Sequence, residues 1–207
     1  MKDEVTRERD LRRGIAIEWF AVAWMVVEAI AAVTAGVRAH STALLAFGID
    51  SVIELVAGVA LLWRLYTETH GGDEKHVERA ERIASWIVGM ALLALAAYIL
   101  VTSTVKLVTH TGAESTALGI SIAAASSVLM PLIAAAKKRV GKRIGSRALE
   151  ADGSCSWVCA YMSWIVLAGA GITFLIGWWW IDAAAALGLV YFVAHEGWEA
   201  VESARGA

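Results

Sequence analysis

Two pairs of potential metal ligands stand at helical spacing in apolar surroundings: Asp50 with Glu54 in the stretch LLAFGIDSVIELVAG, and Cys155 with Cys159 in SCSWVCAYM. Residues four apart share one helix face, so each pair presents two ligands to the same side. Two such helices packed face to face make a cage of two carboxylates and two thiolates. Zn²⁺ accepts tetrahedral oxygen and sulfur coordination at ~2.0 to 2.3 Å, and thiolates shift preference toward softer ions. An Asp in the middle of a membrane span costs on the order of 2.5 to 3.5 kcal/mol on insertion scales. A divalent cation, or protons in its absence, removes that cost. Ligands must lose protons to bind metal, so the two compete for one cage, and a cage that alternates between them is an exchanger.

The elements that must position these residues follow from composition. The chain has 207 residues, 58% hydrophobic and 18% charged, with mean hydropathy +0.62, which is too apolar for a soluble domain of this length. One proline and ten tryptophans fit long helices with interfacial rings rather than the short alternating segments of a β-barrel. The expected fold is an all-α polytopic membrane protein. A span needs ~17 to 25 mostly apolar residues, and six segments qualify: 15–37, 41–66, 83–108, 115–136, 149–176 and 181–201. The expected organisation is a cytoplasmic N-terminal segment (1–14), a six-helix transmembrane domain (15–203) and a short tail (204–207). The charged start MKDEVTRERDLRR runs into a full-length apolar segment without a cleavage site, so it is not expected to be a signal peptide. Lys and Arg gather before the first segment, between the second and third, and between the fourth and fifth. The positive-inside rule then puts both termini in the cytoplasm of a multi-pass protein of the cell membrane. A net charge of −2 gives no indication of nucleic acid.

Laid over itself at an offset of 105 residues, the chain matches STALLAFGIDSVIE (41–54) with SRALEADGSCSWVC (146–159), placing Asp50 on Cys155 and Glu54 on Cys159. The second and fifth segments run in opposite directions, as inverted three-helix repeats require, and such repeats place a site near the midplane.

Further polar residues are weaker candidates. Asp152 lies one turn before Cys155 and either replaces it as a ligand or receives metal from the cytoplasm. Glu28 matches the depth of Asp50 and reads as a fifth polar group of the cage, a proton acceptor or a helix-packing residue. His70, Asp73 and His76 form a loop that collects metal or is simply solvated. His195 and Glu199 are expected as an exposed pair, Trp178–Trp180 as an outer interfacial belt, and the basic run from Lys137 to Arg147 as a topology signal.

The sequence resembles the cation diffusion facilitators, six-helix divalent-metal/proton antiporters. The likeness is carried by Ser41, Ala43–Ala46 and Asp50-Ser51 with Glu54 in segment two, Ala148–Asp152 in segment five, Gly119–Ile122 in segment four, and Asp182-Ala183, Gly188 and Glu199-Ala200 in segment six. The resemblance implies transport ligands at Asp50, Glu54, Cys155 and Cys159, where zinc members usually have Asp, Asp, His and Asp. It implies a metal efflux transporter rather than an enzyme, carrying Zn²⁺ first, with Cd²⁺, Mn²⁺, Co²⁺ or Fe²⁺ as alternatives, against protons. It extends to the transmembrane domain only, without the family's usual cytoplasmic domain, so a homodimer would form through the membrane helices. The alternative is a membrane metal sensor or scaffold that binds without transporting. An intramembrane hydrolase using Cys159 lacks a histidine placed as its base.

Overall fold

The computed structural model describes the backbone of residues 2–69, 74–114 and 116–206, with all side chains in these ranges except those of 2–7, 68–69, 74–81, 84, 147–148, 203 and 206. Among the described residues there are six helices and no strand: α1 (Lys2–Ala39), α2 (Thr42–Thr69), α3 (Glu74–Thr109), α4 (Ala117–Ile144), α5 (Arg147–Ile176) and α6 (Ile181–Gly206). The helices outrun the apolar segments at several ends, most of all at the start of α1 and α3, where charged residues continue the helix beyond the apolar run.

Five of the six, α1 to α5, are long and apolar enough to cross a membrane. The sixth is long enough, but Asp182, His195 and Glu196 dilute its apolar content. It nevertheless packs along α3 inside the bundle.

Local chemistry sets the boundaries. Gly145 and Gly177 close α4 and α5 in the left-handed region, at φ 71° and 70°, where glycine meets no Cβ penalty. Ser146, directly after Gly145, caps α5 by accepting from Leu149 N at 3.4 Å, and Ser41 caps α2 by accepting from Leu44 N at 3.1 Å. Free N–H groups at a helix start are satisfied by such oxygens.

α1, α2, α5 and α4 form a closed four-helix ring, and α3 and α6 make a second pair lying against α2 and α5. Small residues let backbones approach: a Cβ on Gly48 would come 2.7 Å from Val33 N of α1, and one on Gly89 would come 2.9 Å from Gly197 O of α6. The core runs through the middle of the ring, with Met25, Phe47, Ala123, Met130, Cys159, Met162 and Leu189 fully buried.

Candidate metal centre

α2 carries Asp50 and Glu54 on the face turned toward α5 and α6, and α5 carries Cys159 on the face turned back. Asp50 is 1% exposed, Glu54 7% and Cys159 0%, and their ligand atoms all lie within 4.8 Å of one another. Among the described residues this is the one cluster of three or more His, Cys, Asp or Glu side chains at metal-binding spacing. Both Asp50 oxygens and Glu54 Oε2 are buried with no hydrogen-bond partner. Native proteins pair nearly all buried polar atoms, and a cation held by these three oxygens and the neighbouring thiol would satisfy them.

Asp50 and Glu54 line the inner end of a cavity of about 450 Å³ between α2, α3, α5 and α6, with Cys159 buried beside them. Along α2 the lining runs from Asp50 through Glu54, Ala57 and Leu61 to Arg64, about 21 Å at ~1.5 Å per residue. The mouth lies at the end of the bundle shared by Arg64, Ser85, Asp152, Glu199 and Ala200. Most described basic residues, including Arg12, Arg13, Lys138, Lys142 and Arg143, belong to that end, against Arg38 and Lys106 at the other.

The opposite end is shut. Asp182 of α6 accepts from Ser41 Oγ and from Thr42 N at 2.8 Å, and Lys106 of α3 lies 3.6 Å from its second oxygen while donating to His40 O. Between this latch and Asp50 on α2, Ala43, Leu44, Ala46 and Phe47 are buried.

The structure brings three of the four expected cage residues together and leaves the fourth apart. Cys155 lines the same cavity one turn nearer the mouth, where Glu196 of α6 is also part of the lining. Asp152 also lines the cavity, but Lys137 Nζ stands 2.5 Å from its Oδ2. Glu28 lies behind the cluster, fully buried; it accepts from Ser51 Oγ at 2.6 Å, from Trp24 Nε1 at 3.0 Å and from Ser126 Oγ, and Cys159 Sγ is 3.7 Å from its Oε1. His195 and Glu199 pair at 3.3 Å on the exposed surface beside the mouth. His70 and Asp73 lie outside the described residues, and of His76 only the backbone is described.

Two features went unread in the sequence. The sequence pattern at the end of α6 points to His195 and Glu199 rather than to Glu196 between them, although Asp182, Ala186, Leu189, Val193 and Glu196 recur at helical spacing and are all buried; that period is the available signal. Lys137, read with the basic run as a topology marker, is instead wholly buried and ion-paired to Glu18 of α1 and Asp152 of α5. No periodicity connects those three positions.

Residues 19–205 match the cation efflux transmembrane domain. The chain belongs to the cation efflux family. Among relatives, it is 28% identical over 160 residues to the Synechocystis protein Uncharacterized transporter sll1263, covering 76% of this chain and 52% of that one. It is 28% identical over 161 residues to Transmembrane protein 163 of Xenopus laevis, covering 78% and 56%. It is 25% identical over 197 residues to the Manganese efflux system protein MneS of Bacillus subtilis, covering 93% and 67%. The chain thus spans just over half the length of the first two relatives.

Proposed function

We propose that the chain exports a divalent transition metal from the cytoplasm in exchange for protons, binding it between Asp50, Glu54 and Cys159. The observation that carries this reading is the buried cluster itself: two carboxylates and a thiol within 4.8 Å, three of their oxygens unpartnered, with the two carboxylates lining the inner end of a deep cavity. Family membership supports metal-cation transport. The clustering of basic residues at the mouth supports a cavity open to the cytoplasm, with both termini on that side, in a cell membrane.

The remaining steps follow from what the residues do. With the outer latch closed, metal reaches the cluster only from the mouth. Binding displaces protons from ligands that must be deprotonated and neutralises carboxylates that have no other partner. Rocking of the α3–α6 pair and the outer ends of α2 and α5 then opens the opposite path, and protons take the vacated site.

The thiolate favours Zn²⁺ and Cd²⁺ over harder ions, so we assign zinc as the substrate. The relative named for manganese efflux supports Mn²⁺ as the second reading. Calorimetric titration of the purified chain with Zn²⁺, Cd²⁺, Mn²⁺ and Co²⁺ separates the two. Zinc and cadmium tightest, with Cys159→Ala moving preference toward Mn²⁺, is the expected result. Manganese tightest in the native chain would overturn the zinc assignment, and no binding of any ion would overturn the site.

A further inference from the structure

Lys137 is a cation held where a membrane protein has little reason to hold one. Its side chain has no exposure, and its Nζ lies 3.0 Å from Glu18 Oε2 and 2.5 Å from Asp152 Oδ2. The pocket for this group is built from neighbouring helices. A Cβ on Gly58 of α2 would stand 2.8 Å from Glu18 Oε1, so the missing side chain is what gives Glu18 its place. α4 and α5 touch so closely here that a Cβ on Gly153 would lie 3.1 Å from Lys138 N and 3.2 Å from Ala134 O. That contact walls in the lysine stem between the two helices.

Asp152 faces two ways. Behind it is the ammonium; in front is the cavity, which it lines together with Cys155 and Glu196. Asp152, Cys155 and Glu196 offer two carboxylates and one thiol, the same donor types as Asp50, Glu54 and Cys159, but nearer the mouth. Any metal passing inward meets this set first. An ion bound firmly there would stall short of the inner end.

We propose that Lys137 is a resident counter-cation that withholds Asp152 from metal, confining tight binding to the Asp50–Glu54–Cys159 cluster. The inference rests on the metal-transport reading above. With Asp152 neutralised from behind, the Cys155–Glu196 pair is left as a weak, two-donor contact that an ion crosses on its way in. With the ammonium gone, the Asp152 carboxylate turns to the cavity and a second tight site forms.

The test counts Cd²⁺ per chain by equilibrium dialysis of the detergent-purified full chain, and follows the ultraviolet thiolate-to-Cd²⁺ charge-transfer band. The native chain and Lys137→Arg should bind one ion. Lys137→Met should bind two, with the band about doubled as the Cys155 thiolate joins. Because Lys137→Met strands two buried acids, Lys137→Met/Glu18→Gln, which removes one charge of each sign, is measured beside it and should also bind two. Adding Asp152→Asn to the double variant should return the count to one. A double variant that binds one ion with native affinity, or keeps its second ion without the Asp152 carboxylate, would overturn the inference while leaving the deep site standing. A native chain that binds no Cd²⁺ would overturn both.

Discussion

Asp50→Asn should make the empty protein more stable while removing its response to metal. Both Asp50 oxygens are buried and unpartnered, so the carboxyl group, even when protonated, is a burden on the fold when no cation is present. The insertion penalty for a central Asp, on the order of 2.5 to 3.5 kcal/mol, is the upper bound on what its removal returns. The amide also lacks partners, so a gain of about 1 to 2 kcal/mol is expected, in line with the trade between stability and activity at strained sites. At ~2 to 4 °C per kcal/mol for a chain of this size, the empty variant should melt ~2 to 8 °C higher. Native protein should gain about 2.7 kcal/mol from metal at a hundred times its Kd, a rise of ~5 to 11 °C; the variant should gain almost none. Ten tryptophans make intrinsic fluorescence a sufficient probe of melting in detergent. A variant that melts below the native chain and still shifts with metal would refute the reasoning, because Asp50 would then be a structural residue.

Three further outcomes follow. Glu28→Gln should weaken metal binding ~10- to 100-fold, as loss of a supporting contact to a ligand does, since Glu28 fixes Cys159 from behind; unchanged affinity by calorimetry would remove Glu28 from the site. Asp182→Asn breaks the ion pair to Lys106 and weakens the cap on α2. In a Cys155→Ser background it should speed modification of Cys159 by an impermeant thiol reagent applied from the outside, and an unchanged rate would mean the latch does not hold that end shut. Gly89→Val drives a side chain against Gly197 O and Val201 and should destabilise by ~1 to 3 kcal/mol; an unaltered melting temperature would show that α3 and α6 can separate freely.

The helical bundle was legible because apolar runs of spanning length leave few alternatives, and the depth of Asp50 and Glu54 was legible because they sit inside one. Helix ends were less so: Lys2–Arg13 and Glu74–Arg82 carry no apolar signal, yet continue α1 and α3 outward. Cys155 stands apart from the other three expected cage residues for a geometric reason. Spacing of four guarantees one shared face, but not that two helices stay close over both turns. α2 and α5 meet at the level of Cys159; a turn nearer the mouth the cavity opens between them, and Cys155 lines it together with Glu196 of α6. Glu18, Lys137 and Asp152 were unreadable as a group because their juxtaposition depends on the packing of α1 and α5 around α4, which no local pattern encodes.

Whether this buried cluster carries the transported ion is decided by flux. Proteoliposomes enclosing a Zn²⁺-sensitive dye, with an imposed pH gradient, should fill with zinc when they hold the native chain, faster as the gradient steepens, and should stay dark with Asp50→Asn. Zinc binding without flux in the native chain would make the protein a binder rather than a transporter, and undiminished flux in the variant would place the transported ion elsewhere.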